Sequence, residues 1–270
     1  MAFKTLGYEL PVSNKMKMTL EAFENVKEIT PGEDLADVIF DSASRNRWQW
    51  HNRDIIVLAQ KIVSKAEGRL VNLKTVKPSP QAIKYAQYVD KDVRLIELIL
   101  QESRRVLRTR AGLMIVQHKL GFICANAGID HSNISIDGNL SEDFVLLLPE
   151  NPDQSAENLR TRLLQLTGKQ IGVLIIDSHG RAWRKGVVGI SIGFSGIPAI
   201  IDLRGRKDRN NYSLKITEIS PVDELSAAAS LLMGQADEGR PLVAVRGFPY
   251  DLRDSNLSEV IREENLDLFR

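Results

Sequence analysis

Short runs of apolar residues that pass directly into polar segments recur along the chain. Residues 172–176 read GVLII and lead into DSHG at 177–180. Residues 55–59 read IIVLA and lead into a charged segment at 60–69. Unbroken apolar runs of this length predict buried strands. We therefore expect a sheet whose strand ends carry small polar and charged side chains.

Other apolar runs predict the remaining strands. These strands are predicted at 112–116, 121–125, 145–149, 187–192 and 242–246. Residues 117–120 separate the first two of these strands and predict a hairpin turn between them.

Apolar residues at helical spacing predict helices between these strands. Leu35, Val38, Ile39 and Ala43 form one such apolar stripe. Gly168 is typical of the residue that ends a helix. One helix is predicted from about residue 29 to 45, and a second begins within residues 78–83. Further helices are predicted at 93–104, 152–167 and 222–233, and in the charged tail from residue 254.

The composition is that of a soluble globular protein. The chain has 270 residues, of which 43% are hydrophobic and 26% are charged. It can bury a sizeable core, either as one large domain or as two interleaved ones. The net charge of +1 argues against a nucleic-acid partner, because such proteins usually carry a basic surface. Any anion site must therefore come from local clustering of cations.

Cysteine content and hydropathy indicate where the protein acts. The single cysteine, Cys124, excludes a disulfide within the chain and indicates a reducing compartment. The amino terminus lacks the apolar core of a signal peptide. No apolar stretch is long enough to cross a bilayer. We therefore predict a cytoplasmic protein without a membrane partner.

The polar segment after residues 172–176 is a candidate metal and phosphate site. Asp177 offers a carboxylate at the end of a strand, and oxygen ligands suit Mg²⁺ or Mn²⁺. Arg181, Arg184 and Lys185 follow, and basic side chains suit the phosphates that such a metal would carry. A strand end followed by a solvated basic turn explains the same residues. Both interpretations stay open on this stretch alone.

A second strand end, after residues 121–125, has a similar character. Asp130 is a candidate metal ligand, and Asn126 and Asn133 are candidate hydrogen-bond partners for a polar ligand. Cys124 lies within the strand and is predicted to be a buried packing residue. A catalytic thiol would need an activating partner, and the nearby sequence offers none.

Three further charged segments either bind a ligand or simply face solvent. Residues 60–69 resemble an anion cradle, although they lack the glycine spacing of a Walker loop. Residues 204–209 hold four cations in six positions and either grip a phosphate or pair with neighbouring acids. Residues 233–240 are either a loop over a ligand or a plain helix end and linker.

Motifs in a fixed order carry a resemblance to one family. IVSKAEGR, CANAGIDHSN, LIIDSHGRAWRKGVVGISIG, DLRGRKD and LLMGQADEGRP follow one another along the chain. Together they closely resemble the coenzyme F-420:L-glutamate ligase family, the F-420-0 gamma-glutamyl ligases, from about residue 29 to 247. Several motifs in register are far more specific than any one of them.

The resemblance implies a fold and an assembly. We expect an α+β fold of mixed sheets with flanking helices, specific to the gamma-glutamyl ligases, in an intertwined homodimer. Residues 1–270 are expected to form a single ligase unit, which can comprise two interleaved subdomains. The reductase-like C-terminal domain that some bacterial members carry is expected to be absent.

The resemblance also implies an activity. The family adds L-glutamate, through gamma-glutamyl amide bonds, to coenzyme F-420-0 or a similar phosphorylated carboxylate acceptor. GTP is the co-substrate, and Mg²⁺ or Mn²⁺, with a monovalent cation such as K⁺, are the expected cofactors. An acyl phosphate would be the intermediate, and GDP and phosphate would be released.

Site residues follow from the resemblance as well. The implied metal ligands are Asp130, Asp177, Ser178 and Gln235. The implied nucleotide-binding residues are Ala59, Gln60, Lys65, Asn133, Met233, Gly234, Gln235, Ala236, Asp237, Glu238, Gly239 and Arg240. An early nucleotide segment should fall at 26–29, where Val-Lys-Glu-Ile departs from the family's Leu-Pro pair. Ser178 stands where the family often has threonine and keeps the hydroxyl, whereas the role of His179 is open.

Elementary chemistry gives these residues roles. A carboxylate must be activated before an amine can attack it, and phosphoryl transfer to it needs metal ions and cations around the moving charge. We expect Asp130, Asp177 and Gln235 to hold two metal ions against the triphosphate. Lys65 is expected to neutralise phosphate charge. The candidate catalytic residues are Asp130, Asp177 and Lys65. The candidate substrate-binding residues are Arg181, Arg184, Arg204 and Arg206.

Two other functions compete with this hypothesis. The first is the same GTP-dependent amide-forming chemistry on a different carboxylate acceptor, because the matched motifs do not define the acceptor pocket. The second is a nucleotide-binding homologue that has lost turnover. The retained acids, lysine and glycine-containing loop argue against the second, since a decayed site should lose some of them.

Overall fold

The described structure combines several small sheets with flanking helices. The computed structural model describes residues 16–131 and 143–268, together with the backbone of 135–136 and 139–140. In chain order the strands are β1 (Thr19–Ala22), β2 (Ile55–Ala59), β3 (Leu70–Asn72), β4 (Ser103–Arg110), β5 (Leu113–His118), β6 (Ile123–Ala125), β7 (Ser135–Ile136), β8 (Asn139–Leu140), β9 (Phe144–Leu146), β10 (Gly172–Gly180), β11 (Val187–Ser195), β12 (Ile201–Asp202), β13 (Glu218–Ile219) and β14 (Leu242–Arg246). The helices are α1 (Leu35–Arg45), α2 (Gln60–Ala66), α3 (Pro80–Val89), α4 (Val93–Gln101), α5 (Pro152–Thr167) and α6 (Pro221–Met233).

A five-stranded mixed sheet lies at the centre, in the order β1-β14-β2-β10-β11. β10 runs parallel to β2, whereas the other neighbouring pairs are antiparallel. β2, β14 and the first half of β10 are buried on both faces. Strands covered on both faces are continuous apolar runs rather than alternating ones. This burial explains why the sequence predicts these strands, and the predicted α+β class is confirmed.

Helices cover both faces of this sheet. Ile56 and Leu58 of β2 pack into a core with α1 and α5. Ile55 and Val57, which point to the opposite face, pack into a core with α6. Because the sheet is held from both sides, the carboxyl end of β2 is fixed beside the middle of β10, with Ala59 opposite Ile176.

A second layer is formed by the antiparallel sheet β4-β5-β6 with α3 and α4. Met114, Val116 and Cys124 of this sheet pack against Ile96 and Ile99 of α4 in a third core. The remaining strand pairs are β3 with β9, β7 with β8 and β12 with β13. Across the described ranges, no helix has the length and apolar character needed to span a membrane.

Several elements differ in extent or type from the sequence prediction, and three of these differences have a clear physical cause. α4 ends at Gln101 instead of 104, because 103–110 pairs with β5 as strand β4. The segment after β2 is a helix, α2, rather than an irregular polar stretch. β10 continues past Asp177 to Gly180, since β11 pairs with it along that length.

The charged tail is the clearest error in the secondary-structure prediction. Within residues 254–268, the structure has only short 3-10 helices, Leu257–Glu259 and Glu264–Leu266. Contacts with the core fix an irregular path here. The Leu257 side chain is buried in the α6 core, and its N–H donates to the Asp153 carboxylate at 2.9 Å. Tertiary contacts therefore override the helical preference of the charged residues.

Candidate functional site

A cleft of about 420 Å³ opens where β2 ends, beside residues 176–178 of β10. Parallel strands place their carboxyl ends at one edge of a sheet, which is where α/β proteins commonly bind ligands. The cleft is lined by residues 26–29, 59–62, Lys65, 176–178, Ser230 and 233–241. Segments that are far apart in the sequence thus share one cavity.

Helix α2 brings two lysines to this cleft. Lys61 and Lys65 are four positions apart and therefore lie on one face of the helix. Lys65 forms an ion pair with Glu28, and its side chain is only 16% exposed, against 66% for Glu28. The buried Gln60 side chain accepts a hydrogen bond from the Ser64 hydroxyl at 2.8 Å, which orders the first turn of the helix.

Hard oxygen donors stand on the facing wall. The Ser178 hydroxyl donates to Gln235 Oε1 at 2.8 Å, and Gln235 Nε2 donates to Ser230 Oγ at 3.3 Å. Asp177 lines the cleft next to Ser178. Carboxylate, hydroxyl and amide oxygens are the donors that Mg²⁺ and Mn²⁺ prefer. The chemistry of this donor set therefore fits a hard divalent ion.

Asp130 lies beside the cleft rather than in its wall. Its Oδ2 is 2.8 Å from Lys61 Nζ, and Lys61 does line the cleft. Its backbone exchanges hydrogen bonds with Leu146, at 3.0 and 2.9 Å, which fixes its position. Within the described residues, no group of three or more His, Cys, Asp or Glu side chains could hold a metal ion. The convergence of Asp130 and Asp177 on one cation stays a prediction.

The loop after α6 closes one side of the cleft. Gly234 has a positive φ of 76°, and a side chain there would collide with the Glu238 carboxyl group. Glu238 accepts a hydrogen bond from the Ala236 N–H at 2.8 Å, and this bond lowers the pKa of the Glu238 carboxyl. Arg240 is 3.6 Å from Glu24. The loop thus curls back on itself and turns its polar side chains to the cavity's edge.

Several predicted residues lie elsewhere. Arg181 and Arg184 are exposed in the turn between β10 and β11, outside the set of described residues that line the cleft. Arg204 pairs with Asp202 at 2.7 Å and with Glu218 at 3.1 Å. Arg206 is exposed in the same loop. For Arg204, the structure therefore favours the alternative of a charged loop that pairs within itself.

Apart from Asp130, the structure describes two of the three residues singled out around the end of the strand predicted at 121–125. Cys124 is buried, and burial raises the pKa of its thiol to about 12, which suits a packing residue rather than a nucleophile. Asn126 Oδ1 accepts a hydrogen bond from the Met114 N–H at 3.0 Å and so ties the turn to β5. Asn133, predicted to bind nucleotide, lies outside the described residues.

Sequence reasoning assigned no role to Ser230, which lines the cleft, or to His179, which contacts the cleft residue Asp177. Lys61 was predicted only as part of the anion cradle at 60–69. His179 Nε2 lies 3.0 Å from Asp177 Oδ2. The signal for this contact was present, because residues two apart in a strand share a face. No local pattern pointed to the Lys61–Asp130 pair, which depends on tertiary packing.

Comparison with known proteins agrees with the arrangement of these segments. The family model for the F420-0:Gamma-glutamyl ligases matches residues 25–247, which include every cleft-lining segment. The "Coenzyme F420:L-glutamate ligase" of Methanothermobacter thermautotrophicus is 40% identical over 257 residues, covering 94% of this chain and 100% of that protein. The proteins of the same name from Methanopyrus kandleri and Archaeoglobus fulgidus are 41% and 40% identical, over 90% and 94% of this chain and 94% and 97% of their own lengths.

Both kinds of comparison extend over most of the chain, and the relatives match over nearly their whole length. The shared order of motifs, the α+β architecture and the match across the cleft all lead to one assignment. The chain belongs to the F420-0:gamma-glutamyl ligase family.

Proposed function

We propose that the protein is a GTP-dependent ligase that joins L-glutamate to coenzyme F-420-0 through gamma-glutamyl amide bonds. The observation that carries the proposal is the cleft where β2 ends beside residues 176–178 of β10. There Lys65, suited to phosphate, shares one cavity with the oxygen donors Asp177, Ser178 and Gln235. The names of the relatives supply the acceptor and the amino acid.

The reaction requires an activated carboxyl group. An acceptor carboxylate oxygen would attack the γ-phosphorus of GTP, and the bond to GDP would break. The amine of glutamate would then attack the carbonyl carbon of the acyl phosphate, lose a proton and expel phosphate. Such phosphoryl transfer depends on positioning and charge neutralisation rather than on a protein nucleophile. The inert Cys124 thiol is consistent with this chemistry.

The cleft residues divide into two roles. Lys65 would leave Glu28 and neutralise phosphate oxygens, while the curled loop 233–240 would contact the nucleotide. Asp177, Ser178 and Gln235 would hold Mg²⁺ or Mn²⁺, and Asp130 would join them by leaving Lys61. When bound, that ion neutralises negative charge as it develops on the phosphates. The proposal extends to a monovalent cation such as K⁺ and to a homodimer.

Isotope transfer tests the proposed chemistry. The purified protein is incubated with GTP, Mg²⁺, L-glutamate and F-420-0 labelled with ¹⁸O in its acceptor carboxylate. We expect mass spectrometry to detect the glutamylated product and one ¹⁸O atom in the released phosphate. Product with unlabelled phosphate would contradict the acyl-phosphate route.

A panel of acceptors tests the substrate. If GDP and phosphate form with another carboxylate but not with F-420-0, the proposed acceptor is wrong and the related amide ligase is correct. If GTP binds tightly but no acceptor supports its hydrolysis, the protein is a silent nucleotide-binding homologue. Sedimentation at micromolar concentration tests the homodimer separately, and a single monomeric species would contradict it.

A further inference from the structure

His179 is a buried polar residue directly behind the cleft. It lies on β10 two positions after Asp177, so both side chains share one face of the strand. His179 is only 6% exposed and is not among the described residues that line the cleft. Its Nε2 is 3.0 Å from Asp177 Oδ2, within the range of a good hydrogen bond.

The other side of the imidazole ring is held by an aromatic stack. The ring of Phe122 lies edge-on to His179, with centroids 5.2 Å apart and planes at 62°. His118 stacks on the same Phe122 ring, also at 5.2 Å, with planes at 9°. Phe122 packs against all three hydrophobic cores. The position of His179 is thus set by the core and not by the ligand cleft.

This arrangement restricts the Asp177 carboxylate. An aspartate at the rim of a cleft can rotate about two side-chain bonds, and a ligand must then fix it at an entropic cost. Here one oxygen is already engaged by a ring that the core holds in place. Oδ1 is the oxygen left for a ligand, while Ser178 is fixed separately through Gln235. Carboxylates that bind metals are commonly oriented by such outer hydrogen bonds.

We propose that His179 is a positioning residue, whose Nε2–H donates to Asp177 Oδ2 and presents Oδ1 to a divalent ion in the cleft. The inference rests on the proposed function, because it takes Asp177 to be a metal ligand. It gives His179 no direct contact with metal or substrate. Its second nitrogen, Nδ1, is not required for this role.

Two substitutions separate hydrogen bonding from packing. His179→Phe keeps an aromatic ring against Phe122 and removes the donor. His179→Gln places an amide N–H near the position of Nε2 and removes the ring. Mn²⁺ affinity is measured by electron paramagnetic resonance with GDP present, and GDP affinity is measured by calorimetry without metal.

The expected results differ between the two variants. His179→Phe should weaken Mn²⁺ binding by about 10–100-fold, the usual effect of losing an outer hydrogen bond to a metal ligand. His179→Gln should recover most of that loss, and GDP affinity without metal should be unchanged in both. In turnover assays, the Mn²⁺ concentration for half-maximal rate should rise in His179→Phe more than kcat falls. Equal weakening in both variants, or wild-type Mn²⁺ affinity in His179→Phe, would overturn the proposal.

The Asp177→Asn background distinguishes this inference from the proposed function. If Asp177→Asn alone leaves Mn²⁺ affinity unchanged, the metal assignment itself fails. If it weakens Mn²⁺ binding, adding His179→Phe should then have little further effect, because both changes remove one coupled interaction. Full additivity of the two losses would overturn the positioning role while keeping the metal assignment.

Nuclear magnetic resonance of the unmutated protein provides a second measurement if a variant fails to fold. The chain has four histidines, so the ¹⁵N-labelled imidazole signals can be assigned by substituting the others in turn. We expect His179 to carry its proton on Nε2 and that signal to shift as Mg²⁺ is added. The proposal would be overturned if the proton were only on Nδ1. It would also be overturned if the His179 signal did not shift although Mg²⁺ binds.

Discussion

At the scale of single residues, the candidate site consists of groups that already have polar partners. Lys65 is paired with Glu28, and Asp130 with Lys61. Asp177 is held by His179. Binding of the proposed nucleotide and metal would therefore displace the acids from these two lysines, whereas the Asp177–His179 contact would be kept. Because each lysine must give up an ion pair with an acid, the strength of that ion pair would lower the affinity for the nucleotide.

Asp177→Asn is the most direct test of the metal assignment. The amide retains the shape of the side chain but loses the charge that attracts a divalent ion, so the variant should fold and lose most turnover. The measurement is the ligase rate at saturating Mn²⁺. Asp251→Asn is a matched control, because Asp251 is 70% exposed and pairs with Arg53. A near-normal rate in Asp177→Asn would contradict the assignment.

Glu28→Gln tests the competition for Lys65. Removing the acid should strengthen GTP binding, because phosphate would no longer displace a carboxylate from the lysine. The gain should be at most about fivefold, since an exposed ion pair contributes up to about 1 kcal/mol. Calorimetry measures the GTP affinity. Glu264→Gln is the control, because Glu264 is 60% exposed and pairs with Arg105, and neither residue is among the described residues that line the cleft. Weaker GTP binding in Glu28→Gln would mean that Glu28 contacts the nucleotide.

At the scale of elements, the cleft depends on how closely α6 approaches the sheet. A Cβ atom at Gly189 in β11 would lie 2.6 Å from the backbone oxygen of Ser226 and 2.6 Å from Ser230 Cβ. Both contacts are too short for atoms that do not bond. Gly189 therefore lets α6 lie directly on β11, and α6 carries Ser230 and the loop at 233–241 to the cleft.

Gly189→Ala should move α6 and loosen the site. Overpacking of this kind usually costs about 1–3 kcal/mol, so the midpoint of urea unfolding should fall. Mn²⁺ affinity should fall as well, because Gln235 would shift relative to Ser178. Gly180→Ala in β10 is the control, since a Cβ there meets no atom within 4 Å. Equal unfolding midpoints for the two variants would show that the contact can relax.

The elements that the sequence predicted well are those with a strong local signal. β2, β10 and β14 are continuous apolar runs, and α5 is bounded by Pro152 and Gly168. β4 was missed because its exposed arginines and adjacent apolar residues continue the pattern of α4. It becomes a strand only through pairing with β5.

In the candidate site too, the sequence predicted what has a local pattern and missed contacts between distant residues. The family motifs named the segments at 59–65, 177–178 and 233–240, which share the cleft. They did not predict that Glu28 pairs with Lys65, because that contact joins residues 37 positions apart. The Lys61–Asp130 pair likewise requires α2 and the segment after β6 to meet in space. Contacts of this kind depend on the tertiary fold and leave no local pattern.

At the scale of the whole molecule, one residue, Phe122, connects the candidate site with the second layer, the sheet β4-β5-β6 and its helices. Phe122 packs against all three hydrophobic cores and lies between the rings of His118 and His179. A disturbance at His118 would therefore reach the central sheet through this ring. We infer that the second layer and the central sheet unfold together.

His118 should make this joint stability depend on pH. Burial lowers the pKa of His118 to about 4, from an ordinary value of 6.5. Between these values the unfolded chain binds a proton that the folded protein does not, so stability falls as pH decreases from 6.5 towards 4. At pH 5 the loss relative to pH 7.5 should be on the order of 2 kcal/mol. His118→Asn should lack this component, whereas His51→Gln, at an exposed site, should keep it. Urea unfolding at both pH values measures the difference, and an equal loss in wild type and His118→Asn would contradict the buried neutral imidazole.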